Sequence, residues 1–272
     1  MTKKMLEYNE GSLLFKVDQN RIAIMTYNRP EAMNSMDMEA LDRQEEIISG
    51  LLHDRELRDH VLVLIIGSTG YKAFSVGGDL KGWQETTADD RIEQTYNIQD
   101  KFRDIESLPM PTIAAIKGFC LGGGLETALR CDLRVVAEDA ELGVPEIRWG
   151  GFPGAGGAVL LPKLCTVGKA KEMLFTGRRI SGKEAYNFGL CERCVPKERV
   201  DDEAYSLAME IVANAPLATR AVKKLVNYGF QTTTDVAFAL NNSLREQLQR
   251  SEDQQEGLTA FKEKRKPVFK GR

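Results

Sequence analysis

Apolar and polar positions alternate loosely over residues 12–27 around a polar "DQN", the period of two that predicts a β-hairpin. In "MDMEALDRQEEIISGLLHD" the period lengthens, and Ala40, Leu41, Ile47, Ile48, Leu51 and Leu52 fall on one helical face. Asp37 and Glu39 sit in the first turn of that helix, where the helix dipole favours acids. "HVLVLIIGS" is continuously apolar, as a strand buried on both faces must be. A glycine-bearing loop is expected over 67–78, a polar helix over 89–107 ending before "LPMP", and a strand over 112–118. Strand, glycine loop and helix thus recur twice, which predicts a β/α spiral rather than a sandwich or a bundle.

After Gly168 the pattern is helical. Ser181 and Glu184 form a capping box that Gly189 closes off, and Leu207, Ala208, Ile211 and Val212 share the face of a further helix. Pro216 suits the first turn of the next, with Leu217, Ala221, Val222 and Leu225 expected to be buried before it stops at Gly229. Residues 233–250 and 252–265 are also expected to be helical. The boundary is placed near residue 200: 1–200 form a β/α core, and 201–272 a helical region. That region is too thin in apolar residues for a core of its own, so it must pack on something else.

Composition narrows the class. The 272 residues are 42% hydrophobic and 28% charged, an ordinary globular balance that needs neither disulfide nor metal to hold it. The longest apolar run, "VLVLII" at 61–66, is far short of a membrane span, and "MTKKMLEYNEGSLLF" has no secretory pattern, so a cytoplasmic location is expected. Cysteines at 120, 131, 165, 191 and 194 fit a reducing compartment. Cys191 and Cys194 make a lone CxxC, and two small apolar side chains on a strand account for it better than a metal or redox site. A net charge of −3 offers no field for nucleic acid. The basic tail "KEKRKPVFKGR" is a local patch, and by composition alone a solvated one.

Two glycine segments, "KAFSVGGDLKGW" (72–83) and "GFCLGGGLE" (118–126), each follow an expected strand and precede an expected helix. Backbone N–H groups there lack intrahelical partners, and missing side chains let a ligand approach them. Two such groups converging on one point would hold a developing oxyanion. Neither segment is a dinucleotide or Walker motif. Glu126 follows the triplet Gly122–Gly124, and Glu146 precedes a third glycine-rich turn at 154–157. Like charges buried together separate in proton affinity, which gives the acid and the base needed to add water across a conjugated double bond.

These segments, with "NRPEAMNSM", "AFSVGGDL", "LFTGRRISGKEAYNFGLCERCVP" and "EGLTAFKEKRKPVFKG", resemble the crotonase (enoyl-CoA hydratase/isomerase) superfamily in order and spacing from about residue 12 onward. The resemblance implies an α/β fold, a ββα spiral with a C-terminal helical oligomerisation region. It implies a thioester oxyanion hole from the N–H groups of Gly78 and Gly123. Glu126 would activate water for the β-carbon, and protonated Glu146 would deliver a proton to the α-carbon. Backbone around Ala32 and Ala73 to Ser75 would cradle the adenine and pantetheine of coenzyme A; Lys81 matches a phosphate-side lysine, and Phe261 and Lys264 a pair reaching a neighbouring subunit's coenzyme. Glu31 stands where some hydratases carry lysine. Trp149, with Trp83 and Phe152, would either narrow the acyl pocket or fill core space. The implied partners are an acyl-CoA substrate and copies of the chain in trimers or hexamers, with no separate cofactor, metal, nucleic acid or membrane. The "LPKL" and C-terminal segments look equally like the carnitinyl-CoA dehydratase branch, so dehydration of another hydroxyacyl-CoA or double-bond isomerisation remain alternatives. A non-catalytic acyl-CoA- or RNA-binding relative is a further one.

Overall fold

The computed structural model describes residues 6–79 and 87–272. Strands β1 (Leu13–Val17) and β2 (Ile22–Tyr27) form the expected antiparallel hairpin, with Leu13 opposite Tyr27. Helix α1 (Met38–His53) starts at Asp37, whose carboxylate accepts from the Ala40 N–H, and α2 (Arg55–His60) is capped likewise by Asp54. Gln44 joins the buried face of α1 because its side-chain oxygen accepts from the Tyr27 hydroxyl at 2.6 Å.

Three strand pairs then repeat one construction. The pairs are β3 (Val63–Ser68) with β4 (Ala73–Ser75), β5 (Thr112–Ile116) with β6 (Phe119–Leu121), and β7 (Leu133–Ala137) with β8 (Glu141–Gly143). With β9 (Ile180–Ser181) and β10 (Arg193–Val195), the first strand of each pair enters a six-stranded sheet ordered β1-β2-β3-β5-β7-β10, and the second a four-stranded sheet ordered β4-β6-β8-β9. Helices α3 (Ala88–Ser107) and α4 (Gly123–Arg130) close the first two repeats. The remaining elements are α5 (Gly157–Leu164), α6 (Val167–Thr176), β9 (Ile180–Ser181), α7 (Gly182–Asn187), β10 (Arg193–Val195) and α8 (Val200–Val212). The Ser181–Glu184 capping box is present at α7. β3 and β5 are buried along their whole length, as parallel strands covered on both faces must be. α8 contributes Val200, Ala204 and Ala208 to the same core.

Two expectations change. The glycine loop of 67–78 contains β4, and a second short strand, β6, stands between β5 and the glycine triplet. Three-residue strands carry too little periodicity to be read from sequence. Gly78 pairs with Met36 as an isolated parallel bridge and α3 begins at Ala88; the helix expected directly after the first glycine segment falls on residues 80–86, outside the described residues.

The C-terminal helices are α9 (Pro216–Gly229), α10 (Thr234–Gln249) and α11 (Glu252–Glu263). Of the face expected to be buried in α9, Val222 is instead exposed, as are Val226 and Phe230. The helix lies on the core through polar groups. Arg220 donates to the carbonyls of Arg58 and Val61, and Lys223 reaches the Met110 carbonyl at 2.9 Å and Asp132 at 2.7 Å. The basic tail folds back onto α11 while its basic side chains stay exposed. Asp253, buried at the start of α11, accepts from the N–H groups of Lys270 and Gly271, and Glu256 pairs with Arg265.

Helix α4 meets β4 without side chains between them. A β-carbon on Gly124 would lie 2.3 Å from the Ser75 carbonyl oxygen, whereas one on Gly78 would meet nothing within 4 Å. Gly124→Ala must push backbone from backbone and should cost about 2 kcal/mol or more of stability. Gly78→Ala should change stability by under ~0.5 kcal/mol. Urea unfolding of the two variants measures the contrast.

Candidate active site

The bridge between Met36 and Gly78 sets the first donor. Met36 donates to the Gly77 carbonyl at 2.9 Å, and Asp79 donates to the Met36 carbonyl at 3.0 Å. Pairing uses the groups that flank Gly78, so the pleat turns the Gly78 N–H to the opposite side. On that side lies the glycine triplet: a β-carbon on Gly77 would be 2.9 Å from the Gly123 nitrogen, and one on Gly123 would be 3.7 Å from the Gly78 nitrogen. Gly123 opens α4, so its N–H has no partner within the helix. Among the described residues no hydrogen bond uses either N–H. The nitrogens of Gly78 and Gly123 therefore lie close to one another.

Segment 29–37 fastens the first donor. Arg29 pairs with Asp79 at 3.1 Å and with Asp37 at 3.2 Å. Asn34, fully buried at φ +53°, accepts from the Arg29 N–H and donates to the Ala73 carbonyl at 2.8 Å. Ala32 and Ala73 to Ser75 are thus brought to neighbouring stretches of chain; Ser75 Oγ accepts from the Gly77 N–H at 3.1 Å. Neither Arg29 nor Asn34 was legible as part of the site. The quoted "NRPEAMNSM" held both, but their role depends on Asp79 and Ala73, more than 35 residues away in sequence.

Glu126 lies one turn into α4 and is 2% exposed. One carboxylate oxygen accepts from the Gly157 N–H, at the start of α5, at 2.7 Å. Burial raises its pKa to about 7; the Gly157 amide pulls it down, the Glu146 charge pushes it up and Arg130 pulls it down. Glu146 stands in the 3₁₀ turn Pro145–Trp149, half-buried, with burial raising its pKa as well. Its Oε1 would lie 2.8 Å from a β-carbon on Gly122, so a side chain there would displace it. Gly122 itself has φ +51° and ψ −127°, open only to glycine. Glu146 Oε2 is buried and has no partner among the described residues. Two bare amides and two carboxyls with raised proton affinity therefore flank one spot. Such a site can hold a developing oxyanion, accept one proton and donate another.

Trp149 and Phe152 are 86% and 73% exposed, so neither fills core space. Phe261 and Lys264 are exposed at the end of α11, with Lys264 as its left-handed cap. Lys81 and Trp83 lie outside the described residues. Cys191 and Cys194 are free thiols, and no cluster of three metal-ligating side chains occurs among the described residues.

The profile of the family described as Enoyl-CoA hydratase/isomerase matches residues 18–272. The chain is 41% identical over 260 residues to "Putative enoyl-CoA hydratase/isomerase YngF" of Bacillus subtilis (strain 168), covering 96% of this chain and 98% of that one. It is 36% identical over 251 residues to a crotonyl-CoA hydratase of Syntrophomonas wolfei subsp. wolfei, covering 92% and 95%. The crystal structure of enoyl-CoA hydratase from Bacillus anthracis superposes with a TM-score of 0.91 at 35% identity, covering 96% of this chain and 100% of that one.

Burial of Glu126 has a cost in stability. Between the ordinary 4.5 and about 7 the folded chain keeps a proton that the unfolded chain has released, so stability falls as pH rises through that window. The loss is on the order of 1–3 kcal/mol. Glu126→Gln should therefore be more stable than wild type at pH near 8, with the gain disappearing near pH 4.5. Denaturant unfolding at the two pH values reads the difference.

Proposed function

This chain belongs to the enoyl-CoA hydratase/isomerase family, and within it we propose that it is a hydratase, adding water reversibly across the 2,3 double bond of a 2-enoyl-CoA thioester. The thioester oxygen lies between the N–H groups of Gly78 and Gly123, which stabilise the enolate formed when water adds. Glu126 is the base. Burial is the largest influence and raises its pKa to about 7, with the Gly157 amide and the Arg130 cation opposing it, so near neutrality the carboxyl is poised to take a proton from water. Glu146, half-buried and with its proton affinity raised by burial, is the acid that gives a proton to the α-carbon. The observation that carries this reading is the presence of both carboxyls beside the paired amides. An isomerase needs one group to shuttle a proton and no second one to activate water.

Hydration of crotonyl-CoA, followed as loss of conjugated absorbance, tests the assignment. Glu126→Gln and Glu146→Gln should each lower kcat by about 10²–10⁴-fold. A variant within threefold of wild type loses its role. Wild-type kcat/KM should decline as pH falls through about 7, because the base becomes protonated. A product one water heavier supports hydration, and a product of unchanged mass would replace it with isomerisation.

The same reading extends to coenzyme A and assembly. Backbone at Ala32 and Ala73 to Ser75 cradles the coenzyme, and Trp149 and Phe152 border the acyl group, so long straight chains should be poor substrates. The exposed Val222, Val226, Phe230 and Phe238 give α9 and α10 an uncovered apolar face. Self-association through it, as a trimer or hexamer, supports Phe261 and Lys264 reaching a neighbour's coenzyme. Light scattering should return a mass at least three times that of the 30.4 kDa chain; a monomer would remove this part of the reading.

A further inference from the structure

Arg130 ends α4 one turn beyond Glu126, with its side chain 9% exposed. One terminal nitrogen pairs with Glu106 Oε1 of α3 at 2.6 Å, and the other donates to the Ala155 carbonyl at 2.6 Å. Its Nε is buried with no partner among the described residues. A buried cation with an unused donor weakens a fold compared with an apolar side chain of the same size. Packing alone therefore does not account for it.

Its partner does. Ala155 belongs to the turn whose amides act on Glu126: Gly157 donates to the carboxylate at 2.7 Å, and the Ala155 amide lowers its proton affinity further. Gly156, at φ +111°, lies against the guanidinium, since a β-carbon there would be 2.8 Å from the nitrogen that grips Ala155. From the other side, Gln99 of α3 donates to the Gly154 carbonyl. Arg130 thus ties the turn that orients the base to the helix that covers it.

We propose that Arg130 is a positioning residue for hydration: by clamping the Ala155 carbonyl to Glu106, it holds the 154–157 turn so that the Glu126 carboxylate keeps one orientation. The inference rests on the hydratase reading. Four charged or polar sources bear on Glu126: Arg130 from its own helix, Glu146 from the 3₁₀ turn, Glu106 of α3 through its pair with Arg130, and the amides of Ala155 and Gly157. Arg130 favours the carboxylate and Glu146 opposes it.

Arg130→Met, Arg130→Lys and Glu106→Gln test the clamp on crotonyl-CoA. Arg130→Met should lower kcat by roughly 10–100-fold, as loosened geometry does, with KM within about threefold because Arg130 does not touch substrate. Loss of the cation should also move the acidic limb of the kcat/KM profile up by roughly one pH unit. Arg130→Lys keeps the charge but not the fork, so its limb stays near wild type while kcat recovers only in part. Glu106→Gln leaves the cation uncompensated and moves the limb down, which also decides the matter if Arg130→Met does not fold. Wild-type kcat and an unmoved limb in Arg130→Met, or an unmoved limb in Glu106→Gln, would overturn the proposal. A wild-type chain inert toward crotonyl-CoA and other enoyl-CoA esters would instead remove the hydratase reading. Carbon-13 NMR titration of Glu126 would then decide on Arg130: a shift between wild type and Arg130→Met or Glu106→Gln supports its role, and none refutes it.

Discussion

Main chain packed directly on main chain, Ser75–Gly78 against Gly122–Gly124, is the contact on which the rest depends. A side chain on Gly124 would drive into the Ser75 carbonyl, and one on Gly77 into the Gly123 nitrogen. Only an interface stripped of β-carbons lets two segments from different ββα repeats come this close. Proximity alone would not aim their N–H groups. Met36 does that for Gly78 by occupying the neighbouring peptide groups, and the helix start does it for Gly123. The two-sheet layout delivers both segments, since β4 and β6 are parallel neighbours in the smaller sheet.

A second constraint follows from the first. The two glutamates beside this contact, Glu126 buried and Glu146 half-buried, are held where their charges are disfavoured. Such carboxyls weaken a fold and strengthen a proton-transfer site, a trade common at functional centres. Their surroundings differ: Glu126 accepts from the Gly157 amide with Arg130 one turn away, while Glu146 Oε2 has no partner among the described residues.

The C-terminal helices reverse the usual rule of burial. Arg220, Lys223 and Asn227 of α9 face the core and bond to its carbonyls, while valines and phenylalanines face outward. These inward donors satisfy carbonyls such as those of Val61 and Met110, beside the ends of central strands. The tail is folded back onto α11 through the Lys270 and Gly271 N–H groups, which donate to Asp253, with its basic side chains exposed.

The sequence by itself determined the long elements and the chemical types. The α1 stripe, the unbroken apolar β3 and β5, and the Ser181 capping box are local signals whose period or spacing survives any tertiary context. The resemblance carried by the glycine and glutamate segments singled out Glu126 and Glu146 as candidates, because those motifs are short and contiguous. Only the tertiary structure decided the rest. Strands of three residues, the outward turn of Val222, and the roles of Arg29, Asn34 and Arg130 all depend on partners far along the chain. A hydrogen bond across 25 or 50 residues leaves no period in the sequence, so it becomes visible only when the fold closes the distance.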